Sequence, residues 1–251
     1  MCRCYLAFTK WLWLGRLYAT RTDWECNYND RMSTRSAEYL EAIDHLPGGA
    51  TLVFSDVSWE DYENLLDDLG HRPGLRVAYD EGILEIMTVS SEHEDYADFI
   101  LSLARVLAEE LDIELETRGS TTWRRKKFRK GLEPDTCFYV ANAQRIIGRG
   151  RIDLESDPPP DIAVEVEITR ESLSKFPIYA ALGVPEIWRY DGKRMEMYQW
   201  TPDLHYVEIS ESRFFPILTP SLLADSIELS KTAGQTDALK AFRQQIRARK
   251  P

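Results

Sequence analysis

The chain has 251 residues and a formal net charge of −11. That balance argues against a protein that coats nucleic acid through overall charge, though not against an enzyme with a local basic patch. With 43% hydrophobic and 29% charged residues, the composition is that of a globular protein able to fill a sizeable core, in one large domain or two small ones.

No run is long and apolar enough to span a membrane. Trp11–Leu14 is short, bounded by Lys10 and Arg16, and lacks a small-residue cleavage pattern, so a secretory signal is not expected. Cys2, Cys4, Cys26 and Cys137 have no convincing zinc spacing and read as free thiols of a reducing compartment. A cytoplasmic protein is the expectation.

Residues 1–35 mix Trp, Cys and Arg without helical or strand periodicity. They read as an irregular extension outside the domain, with Met32 as the working start and residues 36–251 as a single domain. Ala37–Ile43 is helix-like. Thr51–Asp56 looks extended, and Ser58 caps a helix over Trp59–Leu69, stopped by Gly70 and Pro73. Leu75–Tyr79 and Ile83–Thr88 flank the turn residues 80–82 and predict a hairpin. The strongest helix follows: Ala97, Ile100, Leu101, Ala104, Leu107, Ala108 and Leu111 recur at helical spacing. Ser91 and Glu94 fit a capping box at its start.

Ile113–Thr117 reads as a strand. Residues 123–130 are basic with interleaved aromatics, so Arg124, Arg125, Lys126 and Lys127 either contact phosphates or form a solvated hairpin tip. Asp135–Val140 and Ile162–Ile168 are two acid-bearing strands, separated by the proline-rich loop at 156–160. A short helix comes next, with Ser174 as cap, Pro177 in the first turn and Gly183 at its end. Glu186–Tyr190, Met195–Trp200 and Tyr206–Ile209 predict strands, and Ala238–Arg247 predicts a C-terminal helix with a basic end.

The chemistry is concentrated on the acid-bearing strands. Ile162, Val164, Val166 and Ile168 alternate with Ala163, Glu165 and Glu167, the period of a strand. If this strand pairs with the one that Asp135 begins, opposed residues lie about 5 Å apart at Cβ. Asp135 and Glu165 can then share one Mg²⁺ (or Mn²⁺), with Glu167 as a further ligand. Lys175, at the start of the next helix, stands close by. Its plainer reading is an exposed lysine, which the positive end of a helix dipole disfavours. His93 lies in register with Ala97, Ile100 and Ala104, either as a positioning group or proton relay, or as a satisfied half-buried histidine.

The middle of the chain therefore runs helix, three strands, helix, strand. In this αβββαβ order, Pro134–Asp135, Glu165 and Lys175 resemble the PD-(D/E)XK nuclease superfamily. Residues 175–188, Lys-Phe-Pro-Ile-Tyr-Ala-Ala-Leu-Gly-Val-Pro-Glu-Ile-Trp, resemble more closely the Uma-type restriction endonuclease family. Gly82–Met87 followed by His93 is similar to that family's N-terminal hairpin and helix start. The resemblance covers roughly Val77–Trp200. It implies a mixed α/β (α+β) fold: a restriction-endonuclease-like αβββαβ core with an added N-terminal hairpin and C-terminal strands and helix.

The same resemblance implies Mg²⁺-dependent hydrolysis of DNA, with Asp135, Glu165 and Glu167 toward the metal and Lys175 and His93 in the catalytic set. Glu167 occupies the position of the superfamily's usual lysine, and Lys175 takes over that lysine's work. Restriction-type enzymes also suggest a homodimer, for which Tyr198, Trp200 and Phe214–Phe215 could supply the interface. Two alternatives stay open: a nuclease-fold module that binds nucleic acid or protein without cutting, and a hydrolase using paired carboxylates without metal.

Overall fold

The computed structural model describes residues 34–250, apart from positions 71, 73, 169–172 and 204. The N-terminal extension, its start at Met32, and the thiols of Cys2, Cys4 and Cys26 lie outside the described residues, except that a helix already begins at Thr34. Residues Ser33–Pro251 form one compact unit, of mixed α/β architecture. Among the described residues no helix is long and apolar enough to cross a membrane.

The unit is built from two sheets. Helix α1 (Thr34–Asp44) and strand β1 (Thr51–Phe54) lead to α2 (Trp59–Leu69). Ser58 caps α2 with a full capping box, because Asp61 returns its carboxylate to the Ser58 backbone. Strands β2 (Leu75–Asp80) and β3 (Ile83–Thr88) form the predicted hairpin. The basic run then folds as β5 (Trp123–Arg125), a 3₁₀ turn over Lys126–Phe128, and β6 (Lys130–Leu132). These five strands make an antiparallel sheet in the order β1-β3-β2-β6-β5. The basic segment is thus a hairpin joined to the first sheet, not an end of the core sheet.

The second sheet carries the core. Helix α3 (Ser91–Leu111) precedes β4 (Glu116–Thr117), β7 (Thr136–Tyr139), the one-turn helix α4 (Ala143–Ile146) and β8 (Ile162–Val166). Helix α5 (Phe176–Leu182) crosses to β9 (Glu186–Tyr190), followed by β10 (Met195–Trp200) and β11 (Tyr206–Ile209). The order is β11-β10-β9-β8-β7-β4. Among the described residues only β8 and β9 pair in parallel, because α5 provides the crossover that parallel neighbours need. Two further helices, α6 (Pro220–Ala233) and α7 (Gln235–Arg249), close the chain.

Both faces of this sheet are covered. Ile162, Val164, Val166 and Trp188 pack beneath α3, α6 and α7 in one cluster. Cys137, Tyr139, Ala163 and Ile187 pack on the other face with Ile178, Tyr179 and Leu182 of α5 and Leu132 of the first sheet. Every residue of β8 is buried. A strand enclosed on both sides is where a carboxylate needs a specific reason to exist.

Several expectations are corrected. The N-cap of α3 is Ser90, whose side chain accepts from His93 N; Glu94 does not close a capping box but reaches an arginine. The N-cap of α5 is Lys175, not Ser174, with Pro177 in the first turn and Gly183 left-handed at the end. The strand expected at Ile113–Thr117 shortens to two residues. Phe215 is fully buried and does not reach the surface, whereas Phe214 is half-buried against the core. Helix α6 was not anticipated.

Candidate active site

The two acid-bearing strands pair antiparallel, with Thr136 opposite Val164. Asp135, directly before β7, stays against β8 on either side of Glu165: its N donates to Val164 O at 3.1 Å and its carboxylate accepts from Val166 N at 2.8 Å. Glu165 faces α5, where Lys175 and Tyr179 reach it, and Asp135 lies close enough to repel it and to feel the Lys175 ammonium. Both carboxylates are buried, with side chains 1% exposed.

Each is held by specific donors. Asp135 Oδ2 accepts from Val166 N at 2.8 Å, and Oδ1 from Arg76 Nε at 3.2 Å. Arg76 also donates through Nη2 to Glu94 Oε1 at 2.8 Å and through Nη1 to Leu75 O at 3.0 Å. Glu165 accepts from Lys175 Nζ on Oε2 at 2.5 Å and from the Tyr179 hydroxyl on Oε1. Lys175 sits at the helix N-cap and Tyr179 one turn later, so both reach the same carboxylate from one face of α5. Lys175 is buried and paired, not a solvated helix lysine.

His93 is buried at 4% exposure, with Nε2 3.4 Å from Asp135 Oδ2. Neither ring nitrogen makes a hydrogen bond among the described residues. Burial and the nearby Lys175 ammonium push its pKa down to about 4, so it is a neutral imidazole at pH 7. Burial raises the pKa of Asp135 against the opposing pull of Lys175. It raises Glu165 to about 7, again against Lys175 and with Asp135 adding repulsion.

Glu167 does not join this pair as a third ligand. It follows the end of β8, with Oε2 3.7 Å from Arg189 Nε on the neighbouring strand. No group of three His, Cys, Asp or Glu side chains suited to a metal ion occurs among the described residues. Asp135 and Glu165 remain a pair of hard oxygen donors, the number Mg²⁺ uses when water and substrate phosphate fill its other positions. The donor chemistry therefore fits a divalent cation bound through two carboxylates.

Arg124, Arg125, Lys126 and Lys127 lie on the β5 hairpin, which packs against α5, the helix that Lys175 caps and that carries Tyr179. Arg124 and Lys126 line a cleft of about 830 Å³ that Arg76 and Glu94 also line.

Arg76 and Tyr179 were missed in the sequence. A lone arginine within the otherwise apolar strand at 75–79 was the available signal for the first. For the second it was a tyrosine four residues after the helix lysine.

A sequence-family model described as "Putative restriction endonuclease" (Uma2) matches residues 59–231. No curated protein matches the chain. Among solved structures, the chain is similar to "a putative nuclease belonging to DUF820" from Anabaena variabilis. The two are 14% identical over 73% of this chain and 99% of that one, with a TM-score of 0.43.

Proposed function

The chain belongs to the Uma2 "Putative restriction endonuclease" family, and from this premise we propose that it is a Mg²⁺-dependent endonuclease hydrolysing DNA phosphodiester bonds. A nuclease-like function follows from family membership; the metal, the DNA substrate and the residue roles are our reading. The observation that carries it is the neighbouring pair Asp135 and Glu165, buried together with the Lys175 ammonium on one of them.

Asp135 and Glu165 would hold the cation. When bound, a divalent ion polarises a phosphoryl oxygen and lowers the pKa of a coordinated water. The chain's own groups supply orientation and charge. Arg76 and Val166 N fix the Asp135 carboxylate, and Tyr179 fixes that of Glu165. Lys175 offers an ammonium to the charge that grows on the phosphoryl oxygens, a contact strengthened by its dry surroundings. His93, neutral and without a hydrogen-bond partner among the described residues, can accept a hydrogen bond from the attacking water. Its low pKa makes it a weak base, which suits orienting water better than storing a proton.

We assign residues 36–251 to the nuclease domain and the cytoplasm as its place of action. Cleavage of supercoiled plasmid by the purified protein tests the proposal. Cutting should require Mg²⁺ or Mn²⁺ and disappear in Asp135→Ala and Glu165→Ala. Metal-independent cutting would contradict it, as would persistence in either variant.

One observation favours a second reading. All four carboxylate oxygens of the pair already accept from internal donors, as a non-cutting nucleic-acid-binding module would allow. Salt-dependent DNA affinity unaffected by chelator, without cleavage at any metal concentration, would select that alternative.

A further inference from the structure

We propose that Arg189 is a further phosphate-binding residue of the candidate site, placed to receive a nucleic-acid phosphodiester one strand away from Glu165. The inference rests on the nuclease reading above, which assigned Arg189 no role.

The strand register carries it. Glu165 of β8 pairs with Arg189 of β9, and Arg189 pairs with Glu196 of β10. Asp135 lies beside Glu165 on the other side, bonded to the backbone of Val164 and Val166. Paired neighbours share a face, so Glu165, Arg189 and Glu196 form one charged row across three strands, with Asp135 beside Glu165. Glu165 and Arg189 both lie near the carboxyl ends of the two parallel strands, the end at which open α/β sheets bind their ligands.

The guanidinium is fixed along one side only. Nε and Nη2 donate to Glu196 Oε2 at 3.1 and 2.7 Å. The group also lies 6.0 Å from the ring centroid of Phe176 and 5.6 Å from that of Tyr198, at cation–π range. Phe176 directly follows Lys175, so the ring beside Arg189 opens the helix that carries the site's ammonium. Nη1 makes no hydrogen bond among the described residues, and the side chain is 31% exposed. A planar cation with one edge anchored and another uncommitted is pre-organised for an oxyanion. The neighbouring carboxylates of Glu167 and Glu196 set its orientation.

The test uses a fluorescently labelled DNA duplex and the full chain with chelator present, read by anisotropy over a salt series. The double variant Arg189→Met/Glu196→Gln removes the cation without stranding its main acid partner. It should bind several-fold more weakly, with the slope of log affinity against log salt reduced by about 0.9, one phosphate contact. Unchanged affinity and slope would overturn the inference while leaving plasmid cleavage, and thus the nuclease reading, intact. A wild-type protein that neither binds the duplex nor cuts plasmid with Mg²⁺ would overturn both. Should the double variant fail to fold, phenylglyoxal labelling of wild-type protein, mapped by mass spectrometry, decides. Duplex should slow modification of Arg189, and equal labelling with and without duplex would contradict the assignment.

Discussion

At the level of single residues, the site is two buried carboxylates whose charges are balanced by named neighbours. Arg76 is the clearest case. Removing it strands Asp135 and leaves Glu94 without its arginine, and breaking one partner of a buried ion pair costs about 3–5 kcal/mol. Arg76→Met should therefore lower the urea midpoint strongly, and a near-wild-type midpoint would show that Asp135 does not depend on it. The titrations of Glu165 and His93 work in opposite directions. Glu165 has a folded pKa of about 7, above its ordinary 4.5. Its contribution to stability is full below about pH 4.5 and is lost as pH rises through 7. His93 has a folded pKa of about 4, below its ordinary 6.5. Its contribution is present above pH 6.5 and is lost as pH falls toward 4. Melting curves of metal-free protein should thus lose their alkaline-side decline in Glu165→Gln and their acid-side decline in His93→Gln. Identical pH profiles for wild type and both variants would contradict these assignments. Asp135, Glu165 and Lys175 were legible because each stands at a strand or helix position whose period the sequence displays. Arg76 was not, because it reaches Asp135 from a different sheet, 59 positions away, and only the packing of the two sheets creates that contact.

Among the elements, local chemistry decides where helices begin, and the register of two strands decides the site. Ser90, not Ser91, caps α3. Ser90→Ala should cost about 1 kcal/mol and Ser91→Ala only a few tenths, measured by chemical denaturation; the reverse order would restore the cap expected from the sequence. Most strands and the helices α2, α3 and α5 were legible from apolar period, caps and turn residues. The shortening of β4 was not, since only Glu116 and Thr117 find partners, on Phe138 and Tyr139. Helix α6 was hidden for a different reason. Its buried stripe is Leu222, Leu223, Ser226 and Ile227, and Ser226, which donates to Leu222 O, interrupts the apolar pattern. The Thr219–Pro220 start, with Thr219 accepting from Leu222 N, was the signal available. The basic hairpin β5–β6 was visible as a charge run, but its membership of the first sheet depends on pairing between β6 and β2, which no local pattern encodes.

For the molecule as a whole, the first sheet and the second meet where Arg76 touches Asp135, so the small sheet is part of the site's scaffold rather than an appendage. The domain is proposed to need nothing before Met32. A chain starting there should match the full-length melting temperature and plasmid cleavage, and loss of either would place residues 1–31 within the functional unit. The αβββαβ order was legible because each of its elements carries its own period. The cover of its central strand by a flanking helix was legible too, since α5 follows β8 directly, whereas the cover by α6, α7 and Leu132 of the first sheet comes from segments distant in sequence. The central claim is that Asp135 and Glu165 act together on one cation. Calorimetric titration of the metal-free protein with Mn²⁺ tests it most directly. The account predicts a single site per chain that is abolished equally in Asp135→Ala and Glu165→Ala. Wild-type affinity and stoichiometry persisting in either variant would contradict it.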